Sequence, residues 1–225
     1  LTISLDDLCH RLRALYLPAV CDAMYELGLA EPVLPTTLRP LLDPAPRVVG
    51  EAYTVKGAGI DPHVSWDEGL PRMRPYLKMF EKLTPNTVLV STTPLSSMVG
   101  HFGELTANAA KSRGCVGAVV DGNLRDIEGM RDIGFQVFYR SLSPLNGIGR
   151  WEMVAEQVPL TIGGVHIQPG DIVIAEFEAI LVIPRKDAER VLLKAEEIVA
   201  AEAKVRAEAA SGIPPSESLD RHGHI

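Results

Sequence analysis

The run Val120-Asp121-Gly122-Asn123-Leu124-Arg125-Asp126 holds the residue types best placed to do chemistry. An apolar strand pattern ends at Val120, Asp121-Gly122 spells a tight turn, and a helical pattern starts near Leu124. That reading puts Arg125 and Asp126 in a first helical turn, beyond the carboxyl end of a parallel strand, where open α/β sheets place ligands. Adjacent helical residues point about 100° apart, so the two side chains are expected to face different partners rather than each other. Arg125 is then open to a carboxylate in bidentate geometry, and Asp126 to a hard divalent cation. The plainer alternative is an acid favouring the helix dipole beside an arginine in a surface ion pair.

Gly103-Glu104-Leu105-Thr106 opens the preceding helix. A glycine at a helix start lets a ligand approach the backbone, and the unused N–H groups there attract anions. Glu104 is suited to holding a water or relaying a proton; the alternative is a glycine cap followed by a dipole-compatible acid. In the last helix, Val191, Ala195, Ile198, Val199 and Val205 share one face with Glu202 near its middle. A carboxylate on an apolar stripe is costly unless paired. Glu202 therefore meets a cation in its own fold, is delivered to a neighbouring subunit, or sits partly solvated near the helix end.

Other site types find no support. The six histidines show no HxxxH or HExxH spacing; His101 borders the Gly103 region, while His222 and His224 flank a glycine near the end. No GxGxxG follows a strand, and neither GxxxxGK[ST] nor GxSxG occurs. Cys9, Cys21 and Cys115 form an odd set without CxxC spacing, which points to free thiols and a reducing cytoplasm.

The elements that must position these residues are legible in outline. Residues 5–29 read as helical, with Pro18 either breaking them into two helices or marking the first turn of the second; residues 32–46 carry five prolines and read as extended chain. Strands are expected at 48–55, 87–91, 116–120 and 136–139, with helices at 72–83, 103–113 and 124–133. A β region follows from Leu160 to Ile183, with a hairpin at Gly163-Gly164 and a turn at Pro169-Gly170-Asp171. A long helix over 187–210 closes the fold. The expected layout is one α/β domain over residues 1–212 and a mobile tail over 213–225.

At 225 residues the chain is long enough to bury a sizeable core without disulfides or a structural metal. Its 22 Lys and Arg against 29 Asp and Glu give a net charge of −7, which disfavours nucleic acid and anionic membrane as partners. The apolar runs fall short of a membrane span, and no basic segment precedes an apolar one in the manner of a signal peptide.

The segment GELTANAAKSRGCVGAVVDGNLRDIEGMRDIGFQVFYRSLSP, from Gly103 to Pro144, resembles the signature block of the RraA-like family. That family joins class II pyruvate aldolases acting on 4-hydroxy-4-methyl-2-oxoglutarate and 4-carboxy-4-hydroxy-2-oxoadipate with regulators of ribonuclease E. Cys21-Asp22-Ala23 with Leu27-Gly28, the strand Gly50-Glu51-Ala52-Tyr53-Thr54-Val55, and Gly170-Asp171-Ile172-Val173 extend the resemblance from about Val20 to Arg206. It implies a swivelling β/β/α domain with a long C-terminal helix, assembled as a homotrimer or hexamer with sites between subunits. It also implies that Asp126 ligates Mg²⁺ or Mn²⁺, and that Glu104 and a neighbour's Glu202, beside Arg206, hold metal-bound waters. Arg125 and the amides of Gly103, Glu104, Leu105 and Thr106 would grip a small 2-oxo acid. The implied reaction cleaves a 4-hydroxy-2-oxo acid to pyruvate through a metal-stabilised enolate, with oxaloacetate decarboxylation as a side activity. The alternative is a non-catalytic regulator of a ribonuclease or other protein. Residues 58–99, which help wall the pocket in relatives, match the family poorly.

Overall fold

The computed structural model describes residues 3–30, 32–94 and 98–223, so His224 lies outside the described residues. In chain order its α-helices are α1 (Leu5–Ala14), α2 (Leu17–Glu26), α3 (Trp66–Arg72), α4 (Arg74–Met79), α5 (Glu104–Ser112), α6 (Ile127–Asp132), α7 (Ala188–Ala210) and α8 (Pro215–His222). The first strands are β1 (Arg39–Pro40), β2 (Val48–Gly59), β3 (Thr87–Thr92), β4 (Gly100–Phe102), β5 (Gly117–Leu124) and β6 (Val137–Leu142). After them come β7 (Trp151–Glu156), β8 (Leu160–Ile162), β9 (Val165–Ile167), β10 (Ile172–Ala175) and β11 (Ile180–Ile183).

The chain separates into two compact units, residues 32–185 and a second formed by 1–31 with 186–225. In the first, a mixed sheet runs β1-β6-β5-β3-β2-β10-β11, with β4 added beside β5 and β7 beside β2. The central β2, β3, β5 and β6 are parallel, and the flanking β1, β7 and β10 pair antiparallel. Strand alternation sorts the apolar residues into two cores, as it must where both faces are covered. Tyr53, Val55, Leu89, Ala118, Val120 and Val137 point into one, which also holds Tyr76, Phe102 and Trp151. Their strand neighbours Ala52, Val88, Val90, Val119 and Phe138 point into the other, with Ile162 and Val182.

Three local features of this unit differ from the sequence expectation. Asp121-Gly122 is not a turn: β5 continues to Leu124, and its register against β6 shifts between Val120 and Asn123. The glycine marks an irregularity in a strand, which is the other common meaning of such a signal. Helix α6 accordingly starts at Ile127, after Arg125 and Asp126 rather than around them. The helical stretch expected at 72–83 holds α4 and a 3-10 turn at Phe80–Lys82, and α3, which ends at Arg72, precedes it.

In the second unit, Pro18 sits in the first turn of α2, where its missing N–H costs nothing. Ser4 caps α1 by accepting the Asp7 amide at 3.2 Å. Leu8 and Leu12 of α1, Val20 and Met24 of α2, and Val191, Ala195 and Ile198 of α7 are buried. Arg11 adds a bidentate ion pair to Glu196, at 2.8 and 2.6 Å. Residues 215–222, expected within a tail, form helix α8. Its Ser218 hydroxyl and His222 ring bond Glu208 of α7 at 2.7 and 3.0 Å. Among the described residues no helix is long and apolar enough to cross a membrane.

Candidate active site

Strand β4 lies beside the end of β5, and this pairing brings the Gly103 turn against Arg125 and Asp126. The Arg125 amide donates to the Phe102 carbonyl at 3.0 Å. Asp126 is the N-cap of α6 with φ 55° and ψ 44°, a left-handed conformation that aspartate tolerates better than most residues. Its side chain makes no capping hydrogen bond to the helix it precedes. A Cβ at Gly103 would lie 2.6 Å from Asp126 Oδ2 and 2.9 Å from Arg125 Cγ. Only a residue without a side chain lets the start of α5 approach these two groups so closely.

The expected independence of Arg125 and Asp126 does not hold. Arg125 Nε meets both carboxylate oxygens of Asp126, at 3.2 and 3.1 Å. The reason is backbone conformation: the left-handed turn at Asp126 replaces the helical spacing that would have separated the side chains. Both are part-exposed, so the pair adds little stability, about 0–1 kcal/mol, and its effect is to fix direction. With Nε occupied, Nη1 and Nη2 remain for an incoming anion.

The Gly103 amide donates to Thr106 Oγ1 at 2.9 Å, and that hydroxyl donates to the Gly103 carbonyl at 2.8 Å. The helical ladder begins with Ala107 N–H to the Gly103 carbonyl at 2.9 Å. The amides of Glu104, Leu105 and Thr106 thus stay outside the ladder, as at any helix start, while the Gly103 amide is already engaged. Glu104 accepts from Asn108 Nδ2 at 3.4 Å. Its Oε2 lies 2.8 Å from where a Gly129 Cβ would stand, so a second glycine makes room for this carboxylate over α6. Glu104 and Asp126 therefore both border the start of that helix.

A polar layer lies at the carboxyl ends of β3, β5 and β6. Arg140 Nη1 pairs with Asp121 Oδ1 at 3.0 Å, and Thr92 Oγ1 donates to Asp121 Oδ2 at 3.2 Å. Arg140 Nη2 also donates to the carbonyls of Thr93 and Asp121, at 3.2 and 3.0 Å. His101 is buried there rather than bordering the Gly103 site. It stacks on Trp151 with centroids 4.8 Å apart, and its Nε2 lies 3.3 Å from Ser91 Oγ. Its Nδ1 has no hydrogen-bond partner among the described residues. Burial, with the nearby Arg140 charge adding to it, pushes the His101 pKa down to about 4.

Glu202 lies in the other unit. The Tyr16 hydroxyl donates to its Oε2, Arg206 Nη1 approaches the same oxygen at 2.9 Å, and the Arg206 guanidinium lies 5.7 Å from the Tyr16 ring centre. The acid on the apolar stripe is thus paired within its own unit, by a partner one helical turn along. Sequence spacing contained the Arg206 partner at i+4; no sequence signal pointed to Tyr16.

Among the described residues no group of three or more His, Cys, Asp or Glu side chains gathers as a metal cage. The donors at the Gly103 turn are carboxylate oxygens. That set suits Mg²⁺ or Mn²⁺, which bind through one or two carboxylates and take their remaining ligands from water and substrate.

Residues 17–182 match the family model described as RraA-like, Aldolase/RraA. The "Putative 4-hydroxy-4-methyl-2-oxoglutarate aldolase" of Halalkalibacterium halodurans is 31% identical over 183 residues, 80% of this chain and 78% of that protein. Protein DlpA of Legionella pneumophila is 28% identical over 193 residues, 86% of this chain; the match spans only 30% of DlpA. A structure described as novel cellulases from microbes of the gut ecosystem has a TM-score of 0.82 at 31% identity, over 91% of this chain and 89% of that one. RraAS2 of Streptomyces coelicolor, described as an unusual member of the RNase ES inhibitor RraA family, has a TM-score of 0.70 at 24% identity, over 92% and 96% of the two chains.

Proposed function

Since the chain belongs to the aldolase/RraA family, we propose that it is a divalent-metal-dependent lyase that releases pyruvate from a 4-hydroxy-2-oxo acid. One observation carries this reading. The approach of Gly103 to Asp126 Oδ2 and Arg125 Cγ, too close to admit a Cβ, sets the start of α5 beside a carboxylate and a guanidinium. A 2-oxo acid presents the complementary set, a carboxylate next to a carbonyl oxygen.

Asp126 would hold Mg²⁺ or Mn²⁺, with Glu104 bordering the same space and Glu202 of a neighbouring subunit completing the site in a trimer or hexamer. The ion, when bound, supplies Lewis-acid charge where the departing enolate carries its negative charge. The chain's own residues do the rest. Arg125 Nη1 and Nη2 take the substrate carboxylate in a fork, aimed by the Nε contact to Asp126. The amides of Glu104, Leu105 and Thr106 donate to the 2-oxo group and stabilise charge that develops there. In cleavage the C4 hydroxyl loses its proton, the C3–C4 bond electrons pass into the enolate, and C3 then takes up a proton to give pyruvate. Glu104 is the acid–base group within reach of the Gly103 turn for these transfers. Decarboxylation of oxaloacetate leaves the same enolate and is expected of the same residues.

The fold shared with RraAS2 supports a second reading, a protein-binding regulator. Coupled detection of pyruvate from oxaloacetate and from 4-hydroxy-4-methyl-2-oxoglutarate separates the two, using EDTA-stripped protein with and without Mg²⁺ or Mn²⁺. Metal-dependent pyruvate release is expected, together with its loss by at least about 10³-fold in Asp126→Asn. Asparagine tolerates the left-handed backbone at this position, so the variant should stay folded. Full turnover in Asp126→Asn refutes the assignment.

A further inference from the structure

A cavity of about 470 Å³ lies next to the start of β4, lined by Ala58, Ile60, Val99, Leu145 and Arg150, with Met98 exposed at its edge. It shares a wall with the site just described. Val99 lines it, and the next residue, Gly100, is the one whose Cβ would come within 3.0 Å of Arg125 Cβ. The Gly100 amide donates to the Leu145 carbonyl at 2.8 Å, so both sides of that wall belong to one hydrogen-bonded strip. The lining is mainly apolar, and the volume falls in the range of pockets that bury ligands of drug size, roughly 300–1,000 Å³.

Arg150 is the charged group that stands out in this lining. Its side chain has one hydrogen-bond partner, Asn146 Oδ1 at 3.4 Å, and among the described residues no carboxylate comes within 4.0 Å of its nitrogens. Asp61 and His63 also line the cavity but make no ion pair with Arg150. The base of Arg150 is held firmly. Its carbonyl accepts the Ile60 amide at 2.8 Å, and the preceding Gly149 takes φ 72° in a turn where a Cβ would stand 2.4 Å from the Val64 carbonyl oxygen. An arginine lining mainly apolar walls, with no ion pair among the described residues, suits an anionic group at the end of an apolar body.

We infer that this cavity receives the part of the substrate that leaves as the carbonyl product, and that this part has an extended apolar body, aryl or alkyl, ending in a carboxylate bound by Arg150. The inference rests on the lyase reading for its placement, and on the cavity alone for the ligand class.

The test pairs 4-carboxybenzaldehyde with benzaldehyde, which differ only in the distal anion. In the direction of addition, pyruvate C3 gives up a proton and bonds to the aldehyde carbon, whose oxygen takes up a proton, so no oxidant or reductant is needed. Wild-type protein loaded with Mn²⁺ should prefer the carboxylated aldehyde about tenfold in kcat/KM. In Arg150→Gln the preference should fall to near unity through KM, and Arg150→Lys should restore part of it. Calorimetric titration with 4-carboxybenzaldehyde alone should show about tenfold weaker binding to Arg150→Gln. Leu145→Trp, which fills the cavity, should weaken both aldehydes. Equal use of the two aldehydes by wild type, or an unchanged preference and affinity in Arg150→Gln, overturns the inference. Pyruvate release from oxaloacetate without discrimination between the aldehydes would overturn the cavity assignment and leave the lyase reading standing. Discriminating binding without pyruvate release would do the reverse.

Discussion

Gly103→Ala tests the geometry on which the proposed chemistry depends. The residue sits at φ −152°, an extended conformation open to alanine, so the backbone is not strained by the change. The cost is local and steric. The new methyl group would stand 2.6 Å from Asp126 Oδ2, where ordinary contact begins near 3.4 Å, so the carboxylate must withdraw by about 0.8 Å. It would also stand 2.9 Å from Arg125 Cγ, which pushes the guanidinium in the same event. Misplacement of catalytic groups by about 1 Å costs on the order of 10²-fold, or about 2.7 kcal/mol of transition-state stabilisation.

Global stability should change little, because alanine also lowers the entropy of the unfolded chain by about 0.4–1 kcal/mol, which offsets part of the strain. Turnover of oxaloacetate in the coupled assay should therefore fall by about 30- to 100-fold with the melting temperature nearly unchanged. Titration of Mn²⁺ followed by electron paramagnetic resonance should show weaker binding. Gly147→Ala is the control, since a Cβ there meets only ordinary contacts, the nearest being Trp151 Cβ at 3.5 Å. Gly103→Ala protein with wild-type turnover and wild-type Mn²⁺ affinity would refute the placement of the site.

Glu202→Gln should lower turnover, and activity should return in mixed oligomers that combine it with Asp126→Asn, because some sites then hold both native carboxylates. Absence of complementation, with mixed oligomers verified by mass spectrometry, would argue against a site shared between subunits. His101 gives a pH signature. Its folded pKa lies below the unfolded value of 6.5, at about 4, so its neutral form favours the native state fully above pH 6.5. That contribution is lost as pH falls from 6.5 towards 4, by up to about 3 kcal/mol. Urea midpoints at pH 7 and pH 4.5 should show a shallower acid loss in His101→Asn, and an identical slope in the variant would contradict the assignment.

The sequence by itself determined most of the elements and the inventory of candidate residue types. Alternation in β2, the apolar runs of β3 and β5, the Pro18 signal and the 187–210 helix are local patterns, set by side chains a few positions apart. Gly103, Glu104, Arg125, Asp126 and Glu202 were visible because their types stand out against those patterns. What neighbours each of them was decided only by tertiary structure. The left-handed turn at Asp126 reverses the expected separation from Arg125, since periodicity carries no information about one residue's φ. Parallel pairing of β4 with β5 sets the Gly103 turn against Asp126, a contact across more than twenty residues that no window of sequence contains. Tyr16 reaches Glu202, and Arg150 lines a mainly apolar cavity without an ion pair among the described residues, for the same reason. Local propensity acts through the backbone over a few residues, whereas a binding site is made by chain segments that meet only when the sheet and its crossovers close.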